Sequence, residues 1–168
     1  TTHQQGHVAA ALYASGRWQL FGTPALVFHI SGGTTDLLLC NGVTVQQTLG
    51  TSLDLYAGQA VDRIGVKLGF PFPAGEHLSR LAAECPQQPR VKAVLKGMNC
   101  HLSGLENQCS ALLDKGYPPA YVAKYCLCTV GETVFRMVEA AYAAGFRLPV
   151  VCAGGVTVSY THLRAHET

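Results

Sequence analysis

Residues 25–40 carry the pattern that decides the fold, and they read ALVFHISGGTTDLLLC. Two apolar runs, 25–30 and 37–40, flank a loop of small residues, and short apolar runs bounded by turn residues are typical of buried strands. The Asn41-Gly42 pair that follows is a strong turn signal leading into a third strand over 43–48. The segment therefore predicts three strands in succession, with a hairpin among them.

Helical periodicity replaces the strand pattern further along the chain, where apolar residues recur at spacings of three and four. The other predicted elements are helices at 6–15, 53–68, 76–84, 103–115 and 120–144 and strands at 91–95 and 148–153. Strands followed by helices predict an α/β layered fold.

The composition excludes several classes of protein. The 168 residues include 12 Lys+Arg, 10 Asp+Glu and 48% hydrophobic residues. Disordered chains combine low hydrophobicity with high net charge, and a net charge of +2 is too small for a surface covered throughout by nucleic acid. No apolar stretch approaches the roughly 20 residues of a membrane span, and the amino terminus lacks the pattern of a signal peptide. We therefore expect a soluble cytoplasmic chain without a membrane partner.

The cysteines indicate a reducing compartment. Their number is odd and they form no CxxC pair, which favours free buried thiols over disulfides. They lie at positions 40, 85, 100, 109, 126, 128 and 152.

His3 and His7 are a candidate metal-binding pair. On a helix, residues at i and i+4 share one face, at the distance that one metal ion needs. Two ligands do not complete a catalytic site, which normally has three protein ligands and an open position. In a chain with seven histidines, the pair is weak evidence by itself and favours no metal role.

Two glycine-containing loops follow apolar runs. In Ser31-Gly32-Gly33-Thr34-Thr35, backbone N–H groups and hydroxyls are suited to an anion site, although Gly-Gly serves a plain hairpin turn equally well. Gly154-Gly155 follows the last predicted strand, where a tight turn is favoured over a nucleotide-binding geometry.

A stripe of aspartate and glycine runs along the helix predicted at 53–68. Asp54, Gly58, Asp62 and Gly65 fall within about 80° of each other on a helix of 3.6 residues per turn. Glycine lowers helix propensity, so its repeated use indicates a close approach of backbone or ligand. We interpret the stripe as facing a cleft.

Four basic residues are loosely grouped in the middle of the chain, at Arg80, Arg90, Lys92 and Lys96. A solvated face is the ordinary role of such a group, and contact with RNA is the alternative.

Taken together and in order, the motifs resemble the TsaD/Gcp family of tRNA N6-adenosine threonylcarbamoyltransferases, formerly described as O-sialoglycoprotein endopeptidases. The motifs are HxxxH from His3, SGGxT from Ser31, LDxxAGxAxD from Leu53, LGxPxPxG from Leu68, SGL from Ser103 and AGGV from Ala153. They span nearly the whole chain.

The resemblance implies an incomplete actin/Hsp70-like fold, built from ribonuclease-H-like lobes around a cleft. It implies transfer of the threonylcarbamoyl group of threonylcarbamoyl-AMP to N6 of the adenosine beside the tRNA anticodon, with TsaB-like and TsaE-like partner proteins. By the same resemblance, His3 and His7 bind iron or zinc, residues 31–35 line the phosphate and acyl region, and Asp62 and Gly75 hold the ribose and adenosine.

Five positions depart from the family pattern. The family has Glu where this chain has Gln5, His where it has Thr34, acids at the positions of Leu55 and Gln59, and Asn at that of Ser159. These changes favour a diverged paralogue or altered substrate contacts. The changes at Gln5 and Ser159 also favour a non-catalytic subunit that binds partners of the tRNA-modification complex.

The family also has a first lobe before the HxxxH motif and a third metal ligand, an Asp, further along than residue 168. We therefore expect a fragment, with residues 1–158 forming a partial TsaD-like domain of low activity by itself. Residues 159–168 do not fit the family helix and are expected to be a non-native tail.

Overall fold

The structure is a computed structural model that describes residues 3–14, 16 and 18–154. Its helices are α1 (His3–Ala14), α2 (Ala57–Lys67), α3 (Gly75–Ala83), α4 (Gly104–Asp114) and α5 (Pro119–Ala143), with a 3-10 turn at Trp18–Gly22. Its strands are β1 (Pro24–Ile30), β2 (Thr35–Asn41), β3 (Thr44–Thr51), β4 (Leu95–Lys96), β5 (Asn99–Cys100) and β6 (Val150–Ala153). The predicted tail at 159–168 lies outside the described residues.

A mixed sheet in the order β3-β2-β1-β6 forms the framework. The strands β1, β2 and β3 are antiparallel neighbours, as the hairpin signals predict, whereas β6 runs parallel to β1. A parallel pair needs a long crossover connection, and here the helices α2 to α5 all lie between β1 and β6. Gly42 turns the chain between β2 and β3 with a φ of 59°. The predicted α/β fold class is confirmed.

Apolar side chains cover both faces of the sheet. Leu26, Phe28 and Ile30 of β1 point into a core shared with α2, α4 and α5. Val27 points to the opposite face and packs with Val8 of α1. Alternate residues of a strand face opposite sides, so β1 is buried between two layers of helices. The sheet therefore holds α1 on one side and the other helices on the other.

Four predicted boundaries are wrong by three residues or more: α1 begins at His3 rather than at 6, β3 ends at Thr51 rather than at 48, and the starts of α2 and β4 also differ. The helix predicted from position 53 begins at Ala57, because Ser52 Oγ donates to Leu55 O at 2.6 Å and Leu55 N–H donates to an Asp54 carboxylate oxygen. Such local side-chain bonds compete with helical ones. The strand predicted over 91–95 is a two-residue strand, Leu95–Lys96, which pairs with β5.

The seven cysteines are all free thiols, as predicted. Five of them are buried, and burial raises the pKa of the Cys40 and Cys100 thiols to about 11. Among the described residues, no helix has both the length and the apolar character that a membrane span requires.

Candidate functional site

The loop between β1 and β2 is a tight turn held by its own hydroxyl groups. Ser31 N–H donates to Thr34 O at 2.9 Å, and the hydroxyls of Ser31 and Thr34 are 2.8 Å apart. Gly33 N–H donates to Ser31 Oγ at 3.2 Å, while Gly32 and Gly33 are exposed. The loop is therefore a hairpin turn in which a hydroxyl already occupies one backbone donor. An anion would meet an exposed Gly-Gly peptide flanked by two hydroxyls.

The amino-terminal turn of α2 packs directly beneath this loop. Thr35 Oγ1 accepts a hydrogen bond from Ala57 N–H at 2.8 Å and is itself buried. It satisfies one of the backbone donors that the start of a helix leaves without an intrahelical partner. A Cβ added at Gly58 would lie 2.5 Å from Ser31 O and 2.7 Å from Gly32 N. The absence of a side chain at Gly58 thus allows the helix and the loop to touch.

A second glycine contacts the backbone just before the loop. Gly154 follows β6 with a φ of 109°, and a Cβ there would clash with the carbonyl oxygen of Ile30. The predicted turn at Gly154-Gly155 lies mostly outside the described residues, which end at Gly154. The end of β6 and the start of α2 therefore approach the entrance of the loop, each through a glycine.

His29 is a site residue that the sequence interpretation missed. It lies in β1, is only 3% exposed, and places Nδ1 at 3.1 Å from Thr34 Oγ1. Its ring centroid is 4.5 Å from that of His7. A single polar residue within an otherwise apolar strand was the available signal. His29 connects helix α1 to the glycine loop.

Both members of the predicted histidine pair lie in α1, so the i and i+4 spacing is helical as expected. His7 is half-buried beside His29, and the side chain of His3 lies outside the described part of the chain. Among the side chains that are described, no group of three or more histidine, cysteine, aspartate or glutamate residues is placed to hold a metal ion.

Asp62 and Gly75 meet where α2 faces the start of α3. Asp62 Oδ1 accepts a hydrogen bond from Ala74 N–H at 2.8 Å, and Gly75 is the first residue of α3. Gly65 lies so close to the Ala74 side chain that a Cβ would overlap it. The stripe of glycine and aspartate does allow close approach. The groups that approach Gly58, Asp62 and Gly65 are neighbouring segments of the chain itself.

Asp54, predicted on the same stripe, lies before α2 and joins it to the start of α4. Its carboxylate accepts hydrogen bonds from Leu102 N–H at 2.8 Å and Ser103 Oγ at 2.7 Å, and His101 Nδ1 is 3.2 Å away. Burial alone would raise the pKa of Asp54, but the hydrogen bonds from Leu102, Ser103 and Leu55 hold it well below its usual range. A cavity of about 250 Å³ opens beside this carboxylate.

Two of the positions at which the chain departs from the family pattern are integrated into the fold. Leu55 is 8% exposed and belongs to the main apolar core. The Gln59 side-chain oxygen accepts a hydrogen bond from Tyr56 N–H at 3.4 Å, at the start of α2. At these two positions an apolar core contact and an amide hydrogen bond stand where the family has acids.

The geometry brings three of the predicted elements to one place. His7 contacts His29, His29 contacts Thr34, and the Thr34 loop rests on α2 at Gly58. Asp62 lies four residues after Gly58, about one helical turn further along α2. A row of polar groups thus runs from α1 across the glycine loop and along α2 to the start of α3.

The sequence of residues 2–167 matches the TsaD family, which is described as tRNA N6-adenosine threonylcarbamoyltransferase. The chain belongs to the TsaD family. A relative of that description from Thermus thermophilus is 32% identical over 94% of this chain and 48% of its own length. Another, from Anaeromyxobacter dehalogenans, is 35% identical over 99% of this chain and 51% of its own length. The chain thus spans about half the length of these TsaD relatives.

A solved structure gives the fold. The (R)-2-hydroxyglutaryl-CoA dehydratase component A of Acidaminococcus fermentans matches with a TM-score of 0.59 at 18% identity, covering 94% of this chain and 55% of that one. The likeness confirms the predicted actin/Hsp70-like, ribonuclease-H-like fold, present here as a part of a larger family architecture.

Proposed function

We propose that this chain is part of an enzyme that transfers the threonylcarbamoyl group of threonylcarbamoyl-AMP to N6 of the adenosine beside the tRNA anticodon. The observation that carries the proposal is the row of contacts from His7 through His29 and Thr34 to Gly58. Three elements meet there: α1 with its two histidines, the Gly-Gly loop, and α2 with Asp62. They follow one another along the chain in the order of the family motifs.

In this proposal the Ser31–Thr35 loop holds the phosphate and acyl region of the adenylate. The exposed Gly32 and Gly33 allow close approach, and one hydroxyl of the mutually bonded pair Ser31 and Thr34 can donate to the ligand. Asp62 and Gly75 hold the ribose and adenosine side. Asp62 already binds one backbone N–H through Oδ1, so ribose hydroxyls would use its other oxygen or displace that bond.

The reaction needs positioning more than a nucleophilic side chain, because the mixed anhydride is already activated. N6 of adenosine attacks the carbamoyl carbon and forms the new C–N bond. The C–O bond to phosphate breaks, AMP leaves with the electron pair, and one N6 proton passes to water. Donors around the glycine loop stabilise the charge on the departing AMP.

His3 and His7 would hold one iron or zinc ion, since imidazole nitrogen suits both metals. When bound, such an ion acts as a Lewis acid toward the acyl or phosphate oxygens. The contact between His29 and His7 would orient the His7 ring. The proposed macromolecular partners are tRNA and TsaB-like and TsaE-like proteins, and the proposed compartment is the cytoplasm.

Calorimetric titration with a non-hydrolysable sulfamoyl analogue of threonylcarbamoyl-AMP tests this function. We expect binding by the 168-residue chain, and weaker binding after Asp62→Asn or Thr34→Ala. Gly104→Ala is the matched control, because a Cβ there meets only the Gln108 side chain, at 3.9 Å. Capture of TsaB-like protein without analogue binding would instead favour the non-catalytic subunit.

Metal binding is tested separately by thermal unfolding in the presence of zinc or ferrous ion. A ligand that binds only the folded state raises the unfolding temperature. We expect that rise to disappear in His7→Ala. An equal rise in the variant and the parent would remove the metal assignment.

A further inference from the structure

The interval between Cys85 and Leu105 has an unusual charge distribution. It contains Arg90, Lys92 and Lys96 but no aspartate or glutamate, although the whole chain has nearly as many acids as cations, 10 against 12. Those three basic residues, called here the basic edge, are all exposed. Within the described residues, none of the three has an ion-pair partner.

The basic edge has the periodicity of an extended chain. Positions 90, 92, 94 and 96 are exposed, whereas 91, 93 and 95 between them are half-buried. Alternate residues of an extended chain share one side and are about 6.8 Å apart, at about 3.4 Å per residue. Lys96 lies in β4, and Val94 O accepts a hydrogen bond from His101 N–H at 3.0 Å, which continues the pairing with the β5 side. The three cations thus lie along one side of this segment, and hydrogen bonds to the β5 side hold its carboxyl-terminal part, residues 94–96.

Nearby acidic groups are already engaged by other partners. Glu132 and Glu139 line the groove beside Lys92, but Arg136 donates to both, at 2.7 and 2.8 Å. Asp54, in the cavity on the other side of Lys92, accepts hydrogen bonds from Leu102 and Ser103. With Arg136 included, four cations stand against the three carboxylates of Asp54, Glu132 and Glu139, so the region keeps a small net positive charge, and its three carboxylates are held by other groups.

We propose that the basic edge binds the phosphate backbone of RNA. This inference rests on the proposed function, since tRNA is the substrate named in the family's description. A regularly spaced row of cations matches a polymer that carries charge at every unit, and neutralising phosphates releases condensed counterions. Exposed Val94, between Lys92 and Lys96, adds an apolar contact surface for sugar or base.

Fluorescence anisotropy with an unmodified tRNA transcript tests the proposal on the 168-residue chain. The variant is Arg90→Ala/Lys92→Ala/Lys96→Ala. The matched control is Lys67→Ala/Lys115→Ala/Arg147→Ala, which removes the same charge from three other exposed positions. Circular dichroism and thermal unfolding verify that both variants fold.

We expect a plot of log affinity against log salt to lose about 0.7–0.9 in slope for each phosphate contact removed. Three lost contacts make the parent's affinity fall roughly 20- to 40-fold more than the variant's between about 50 and 200 mM salt. The control triple should keep the parent's slope. Equal slopes in the two triple variants, or no tRNA binding by the parent at about 50 mM salt, would overturn the proposal.

Two further arms separate the possible failures. Displacement of tRNA by polyglutamate at equal charge concentration would indicate an acidic protein partner and overturn the RNA assignment. The sulfamoyl-adenylate titration on the same variants reports on the proposed function alone. If the analogue binds but the basic-edge variant keeps the parent's salt dependence of tRNA affinity, only this inference is removed. If the variant loses salt dependence but the analogue does not bind, only the proposed transfer is removed.

Discussion

Replacing Gly58 by alanine tests whether the glycine loop and α2 must touch. The new Cβ would lie 2.5 Å from Ser31 O, 2.6 Å from Ser31 C and 2.7 Å from Gly32 N, whereas ordinary contacts begin at 3.4 Å. The shortest separation must therefore grow by 0.9 Å, the difference between 3.4 and 2.5 Å. All three atoms belong to the backbone, so no side-chain rotation relieves the overlap.

The expected energetic effect has two opposing parts. Overpacking of this kind costs about 1–3 kcal/mol, and the higher helix propensity of alanine returns up to about 1 kcal/mol. We expect a net loss of roughly 1–2 kcal/mol in the free energy of unfolding, measured by urea denaturation. Gly104→Ala, in the first turn of α4, is the control, since it has open space and should be neutral or stabilising.

Ligand binding gives the second measurement for Gly58→Ala. Displacing the loop by nearly an ångström should weaken the sulfamoyl-adenylate analogue by tenfold or more, because misplacements of about 1 Å are costly at reacting centres. Parent-like stability together with parent-like analogue affinity would refute the argument that the close approach of loop and helix builds the site.

Three other substitutions have directions fixed by the structure. His29→Leu removes the bond to Thr34, which keeps its bond to Ser31, and should cost about 0.5–1.5 kcal/mol in urea unfolding; a free energy of unfolding equal to the parent's would contradict the stabilising role of this bond. Asp54 has a lowered pKa when folded, so its stabilisation is present above about pH 3.9 and is lost as the pH falls toward the folded value; Asp54→Asn should flatten the acid limb of the stability curve, and an unchanged limb would contradict this. Asp62→Ala should cost about 0.5–2 kcal/mol through loss of the bond to Ala74 N–H, whereas Asp114→Ala, at the carboxyl end of α4, should be neutral or stabilising; equal losses would count against the Asp62 contact.

The strands and helices were largely predictable because their signals are local. The apolar runs around residues 31–36 and the Asn41-Gly42 turn give β1, β2 and β3 directly. The long helix α5 follows from its apolar periodicity, and its predicted face, including Val122, Cys126 and Met137, is buried. In these segments, local propensity and tertiary packing favour the same structure.

The errors arise where distant residues decide the local structure. The helix start is displaced to Ala57 because Ser52 and Asp54 bond to Leu55, and the Asp54 carboxylate is held there by the backbone of residues 102 and 103, a contact that no local pattern contains. His29 looked like part of an apolar strand because its partners, His7 and Thr34, come from other elements. Motif order predicts which elements contribute to the candidate site, but the groups that connect those elements required coordinates.

The two glycines that contact the start of the loop have a consequence for variation within the family. Gly154 contacts the carbonyl group of Ile30, and Gly58 contacts the carbonyl group of Ser31. Two glycines from distant segments therefore pack against consecutive peptides of the main chain. A relative with a bulkier residue at either position would have to relocate the intervening peptide. Paired loss of these glycines should therefore mark members whose ligand preference has changed.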